Sequence, residues 1–173
     1  MRFKTKDLVM ASALLALGIV LPLVVHMTGI NGVMFLPMHI PVLIGGLMIG
    51  PYSGLIIGIL SPILNHFLTG MPPVPTLWMM LVELPIYGLV SAYLYRKVKM
   101  TLLPSLILSM IMGRIGSAAM ALFLAKGLGF PMPPMGVYVK GITLMALPGI
   151  AIQIILIPII VRAYEKSQNP SGW

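Results

Sequence analysis

Six side chains capable of polar chemistry stand in stretches otherwise built from Leu, Ile, Val, Met and Gly: His39, Asn65, Glu83, Tyr87, Arg114 and Lys140. Together they offer one carboxylate, one guanidinium, one ammonium, an imidazole, an amide and a phenol. That set suits holding a polar or charged small molecule by hydrogen bonds and charge. It does not suit catalysis. Glu83 is the single carboxylate inside an apolar run, so acid/base work by paired carboxylates is excluded. The three histidines fall on separate segments, and no H-E-x-x-H occurs to bind a catalytic zinc. There are no cysteines for thiol chemistry, disulfides or a thiolate metal site. No G-x-x-x-x-G-K-[ST] loop is present, so any step driven by ATP belongs to a partner. The expectation is a binding protein that is not an enzyme and has no cofactor.

The elements that must position these groups are set by composition. Of 173 residues, 59% are hydrophobic and 8% charged, with a mean hydropathy of +1.06. A soluble domain carries about a quarter charged residues, so this reads as an all-α integral membrane protein in contact with lipid. The net charge of +8 is scattered over helix ends and forms no dense patch, which argues against nucleic acid. Apolar runs predict six transmembrane helices in a single domain, 1–173: 8–25, 40–50, 52–68, about 76–95, about 102–125 and about 137–164. Polar tails at 1–7 and 167–173 flank them. The segment 26–38 and the proline-dense segments 69–75 and 126–136 read as connections. Glycines at 46, 50, 54 and 58 recur every four residues and give the second and third helices a bare face for close packing. Arg2, Lys4, Lys6, Arg96, Lys97, Lys99, Arg162 and Lys166 fall on one side, against Lys126 and Lys140 on the other. The positive-inside rule then places both termini in the cytoplasm.

Depth follows from the rise of a helix. At ~1.5 Å per residue, Glu83 lies ~10 Å, Asn65 ~6 Å and Arg114 ~12 Å below the outer surface, with His39 and Lys140 shallower. Five polar groups from five helices thus share the outer half of the membrane, and Tyr87 lies one turn below Glu83. Glu83 and Arg114 are expected to pair, because isolated charges at such depth are costly. Gln153 and the sixteen methionines read as packing. Three readings fit: capture of a ligand from outside, a ligand-free structural or assembly protein held by the Glu83–Arg114 pair, and a self-sufficient channel or secondary transporter.

The basic N-terminus, the small-residue pattern Ser12-x-x-x-Ala16, and P-M-H-I-P-V-L-I-G-G-L-M-I-G-P-Y-S-G at 37–54 resemble the substrate-binding S component of energy-coupling factor (ECF) vitamin transporters. The specific likeness covers 8–20 and 36–73 within a shared six-helix layout. It implies a plasma-membrane protein that captures a small water-soluble vitamin or precursor outside. It also implies partners, a transmembrane coupling protein and two ATPase subunits. In that family a small A-x-x-x-A motif on the first helix contacts the coupling protein, which maps here to Ser12 and Ala16. The family pocket is built by the outer halves of the fourth to sixth helices and the connections between helices 1–2, 3–4 and 5–6. Arg114 and Lys140 together outnumber the one buried acid, which points to an anionic vitamin, with pantothenate as first choice.

Overall fold

The computed structural model describes residues 4–29 and 32–168, with the backbone alone at Val33. Residues 1–3 and 169–173, which hold Arg2 and most of the C-terminal polar tail, lie outside the described residues, as do Ile30 and Asn31. All regular structure among the described residues is helical: α1 (Thr5–Met27), α2 (Gly32–Phe35), α3 (His39–Met48), α4 (Pro51–Thr69), α5 (Thr76–Ala92), α6 (Leu102–Gly127), α7 (Met135–Leu144) and α8 (Leu147–Gln168). A π-helical turn, Tyr93–Lys97, extends α5. Among the described residues, five helices are long and apolar enough to cross a membrane: α1, α4, α5 with its π turn, α6 and α8.

Several expected boundaries shift for local reasons. α1 begins before Leu8 because Asp7, in its first turn, accepts a hydrogen bond from the Lys4 amide at 3.3 Å. The expected second helix, 40–50, is the ten-residue α3, which at ~1.5 Å per residue covers about half of a ~30 Å core. It stops at Met48; Gly50, whose φ of 150° suits glycine, turns the chain, and Pro51 then opens α4, where a missing N–H costs nothing. The expected helix 137–164 is two helices. They break at Met145-Ala146, just ahead of Pro148, which is tolerated in the first turn of α8 and not inside a continuous helix.

α5 packs against α3, α4 and α6. The glycine stripe makes this possible. A Cβ on Gly54 would lie 2.7 Å from the Gly88 carbonyl oxygen, and one on Gly58 would lie 2.7 Å from the Pro85 nitrogen; Gly46 abuts Gly88 in the same way. The backbones of α3 and α4 therefore rest directly on that of α5. Gly50 has open space around it, so its role in the stripe is conformational and not one of close approach.

Proline sits inside α1, α4, α5 and α8. In hydrocarbon each such proline leaves the carbonyl four residues earlier without its helical donor, and a neighbour must supply one. For Pro22 the freed carbonyl is that of Gly18, and Asn65 Nδ2 of α4 donates to it at 2.8 Å.

The start of α1 and the ends of α5 and α8 meet at one end of the bundle. Lys6 Nζ donates to Gln168 Oε1 at 2.7 Å, and the Tyr95 hydroxyl donates to Glu165 Oε1 at 2.7 Å. Arg96 Nη1 donates to the last carbonyls of α3, Leu47 at 3.1 Å and Met48 at 2.8 Å. A cation on unpaired C-terminal carbonyls stabilises the helix end.

Candidate functional site

At the opposite end lies a cavity of about 380 Å³, within the range of small-molecule sites. Its wall comes from α1 (Pro22, His26), the segment 36–38, the start of α3 (His39), the segment 71–73, α5 (Thr76, Met79, Met80, Glu83), α6 (Arg114, Ser117) and α7 (Tyr138, Ile142). Its charged part is a cluster of three. Glu83 Oε1 lies 3.1 Å from Arg114 Nη1 and 3.3 Å from His39 Nε2. Glu83 and His39 are almost fully buried, while the Arg114 side chain keeps 18% of its surface.

Helix periodicity explains the convergence. Thr76, Met79, Met80, Glu83 and Tyr87 recur at three- and four-residue steps, so they share one face of α5. Arg114 and Ser117 do the same on α6. The segment before α3 delivers its first residue to the level of Glu83, so His39 lies buried beside that carboxylate and not at a shallower position as expected. Tyr87 is fully buried one turn below Glu83, with its ring edge-on to that of His39 at 5.0 Å between centroids. It occupies the space that a side chain at position 113 would take.

This cluster is incompletely bonded. Arg114 Nε and Nη2, His39 Nδ1 and the Tyr87 hydroxyl are buried with no hydrogen-bond partner among the described residues. Nε and Nη2 form the side edge of the guanidinium, the edge that grips a carboxylate with two parallel bonds. Unpaired buried donors cost about 1–3 kcal/mol each, a cost that an incoming acceptor would remove.

The six expected groups separate into three placements. His39, Glu83 and Arg114 line the cavity and touch one another, and Tyr87 lies beneath them. Asn65 borders a smaller pocket of about 190 Å³ that shares Pro22, His26, Met38 and Met71 with the main cavity. Its amide nitrogen is engaged by the Gly18 and Ser61 carbonyls, leaving Oδ1 unpartnered. Lys140 is exposed and does not line the cavity. Tyr138 and Ile142 are four apart and face inward, so Lys140, two residues from each, points roughly 200° away. The excess of Arg114 and Lys140 over Glu83 is therefore not gathered at the cavity.

The sequence reading missed Ser117, Tyr138, Thr76 and the methionines of the wall. Ser117 Oγ and the Tyr138 hydroxyl lie 3.0 Å apart and join α6 to α7. Their signal was available: Ser117 lies one turn from Arg114, and Met79 and Met80 lie one turn from Glu83. Of the connection 126–136, no residue lines the cavity; α7 does so instead.

On α1, Ser12 and Ala16 are exposed, whereas Leu14, Gly18 and Pro22 face the bundle. The small-residue pair thus lies on a face that no other part of the chain covers among the described residues.

A family model described as ECF transporter, substrate-specific component, matches residues 6–161. No curated protein and no solved structure matches the chain.

Proposed function

The chain belongs to the substrate-specific components of ECF transporters, and from that membership we propose that its 380 Å³ cavity captures a small carboxylate-bearing vitamin or precursor. The observation that carries this is the cluster of unpaired donors around Arg114. A guanidinium held at one end by Glu83 keeps its side edge oriented for an incoming carboxylate, so little ordering is left to do on binding. Glu83, bonded from both sides, acts as the anchor of Arg114 and His39. Pantothenate, the first choice from sequence, serves as the reference carboxylate.

Uptake then requires ATP hydrolysis by two partner subunits and a transmembrane coupling protein, in the plasma membrane. The exposed stripe of Ser12 and Ala16 is the docking contact for that coupling protein. Short α3 with the segment before it makes a sixth pass, which fits the meeting of the two described chain ends at one end of the bundle. The basic residues at that end, Lys4, Lys6, Arg96 and Lys99 among them, mark it as cytoplasmic, and the cavity opens outside.

The scaffold reading, in which Glu83 and Arg114 only join helices, is favoured by the 3.1 Å ion pair itself. Mutants of the pair separate the two. The purified chain is stripped of retained small molecules, these are identified by mass spectrometry, and the released compound is titrated back. Glu83→Met with Arg114→Met should leave a folded protein, since apolar replacement of both partners is often tolerated. Its affinity should nonetheless fall roughly ten- to a hundredfold, the worth of a charge-assisted hydrogen bond. Arg114→Lys should recover part of the loss, because an ammonium lacks the planar fork. A stable double mutant that binds as tightly as wild type returns Arg114 to scaffolding.

A further inference from the structure

Taking the capture reading as its basis, the wall of the cavity narrows the class of cargo. We propose that the substrate is a carboxylate carried on a largely apolar body, and not a polyhydroxylated or multiply charged acid. Met38, Met71, Met79 and Met80 reach the cavity from three separate parts of the chain. Thioether side chains are flexible and polarisable, so they close around an apolar body and make favourable contacts with rings. Pro22, Pro72 and Pro73 also line the cavity, and proline presents no backbone N–H to a ligand.

The polar groups of the wall are largely engaged with one another. Ser117 and Tyr138 share a hydrogen bond at 3.0 Å. His26 Nδ1 donates to the Pro22 carbonyl at 2.7 Å. His39 Nε2 and Arg114 Nη1 both point at Glu83. Among the groups at the cavity, the buried unpaired donors gather around Arg114, while the methionine side of the wall carries one hydroxyl, that of Thr76. A ligand with a single acidic end and an apolar remainder matches that distribution. Each hydroxyl buried against the methionines without a partner would cost roughly tenfold in affinity.

The test uses the full chain in detergent, stripped of retained small molecules, and four probes: 3-phenylpropionate, its uncharged amide 3-phenylpropionamide, pantothenate and gluconate. Titration calorimetry should rank 3-phenylpropionate at least tenfold tighter than pantothenate and gluconate, and its amide at least tenfold weaker than the acid. Met80→Gln, which makes the wall polar, should weaken 3-phenylpropionate about threefold to fivefold, as expected for the loss of about one methylene's worth of apolar contact. Met71→Gln, at the exposed mouth, gives the same readout if Met80→Gln fails to fold. Tighter binding of pantothenate or gluconate than of 3-phenylpropionate overturns the apolar-body proposal and leaves carboxylate capture standing. An amide that binds as well as its acid, or a chain that binds none of the carboxylates, overturns the capture reading, and the proposal falls with it.

Discussion

Asn65 and Pro22 show how one residue is committed by another 43 positions away in sequence. Pro22 has no N–H to give Gly18, and Asn65 replaces it with a side-chain amide at 2.8 Å. The same amide also reaches the Ser61 carbonyl at 2.9 Å, so the bond fixes α1 to α4 at the edge of the cavity. Asn65→Leu should therefore destabilise the fold by about 1–3 kcal/mol, the cost of a stranded buried carbonyl. In a Pro22→Ala background the backbone N–H of residue 22 can bond Gly18 again, and Asn65→Leu should cost clearly less. Thermal melts of the four proteins of this double-mutant cycle read the coupling directly. Additive effects would show that Asn65 does not serve the carbonyl freed by Pro22.

Among the elements, α5 is the one the others close upon, and of the five long helices α1 is the one left most open. Gly88 of α5 lies against Gly54 of α4 so closely that a Cβ at either position would meet backbone at 2.6–2.8 Å. Backbone cannot swing aside as a side chain can, so Gly88→Ala should cost about 1–3 kcal/mol or more and lower the melting temperature. α1 behaves differently because its residues 12 and 16 face outward. Ser12→Leu or Ala16→Leu adds bulk where none of the described residues packs. Each should leave the melt and ligand affinity near wild type while abolishing uptake in cells that carry the partner subunits. Equal loss of binding and uptake would assign both positions to the fold of this chain.

At the scale of the whole molecule, the polar ends gather at one pole and the cavity at the other, with the glycine-packed helices between. Closure over a ligand is expected from two parts of the wall, which would act as a lid: Met71–Pro73 and α7, which contributes Tyr138 and Ile142 and is tied to α6 by the Tyr138–Ser117 bond. None of α7 is buried, so it is the least anchored wall of the site. Saturating ligand should slow hydrogen exchange at Met71, Val74 and Thr76 and along 135–144. The proline-rich stretch 126–134 should stay unchanged. Protection confined to 126–134 would reverse that assignment of the lid.

How far a residue lies along a helix is a one-dimensional property, and the sequence by itself determined it. Apolar run length, charge placement and rise per residue were enough to read a helical membrane protein and the pairing of Glu83 with Arg114. Which way each side chain points, and what stands opposite, depends on how the helices are rotated and packed, and only the tertiary structure decided that. It brought His39 onto Glu83, turned Lys140 away, gave the Asn65 amide to a carbonyl freed by proline, and made methionines expected as filler into the wall of the cavity. It also divided the last helix ahead of Pro148 and left α3 half the length of a span, because backbone breaks are placed by local hydrogen bonding that hydropathy does not register.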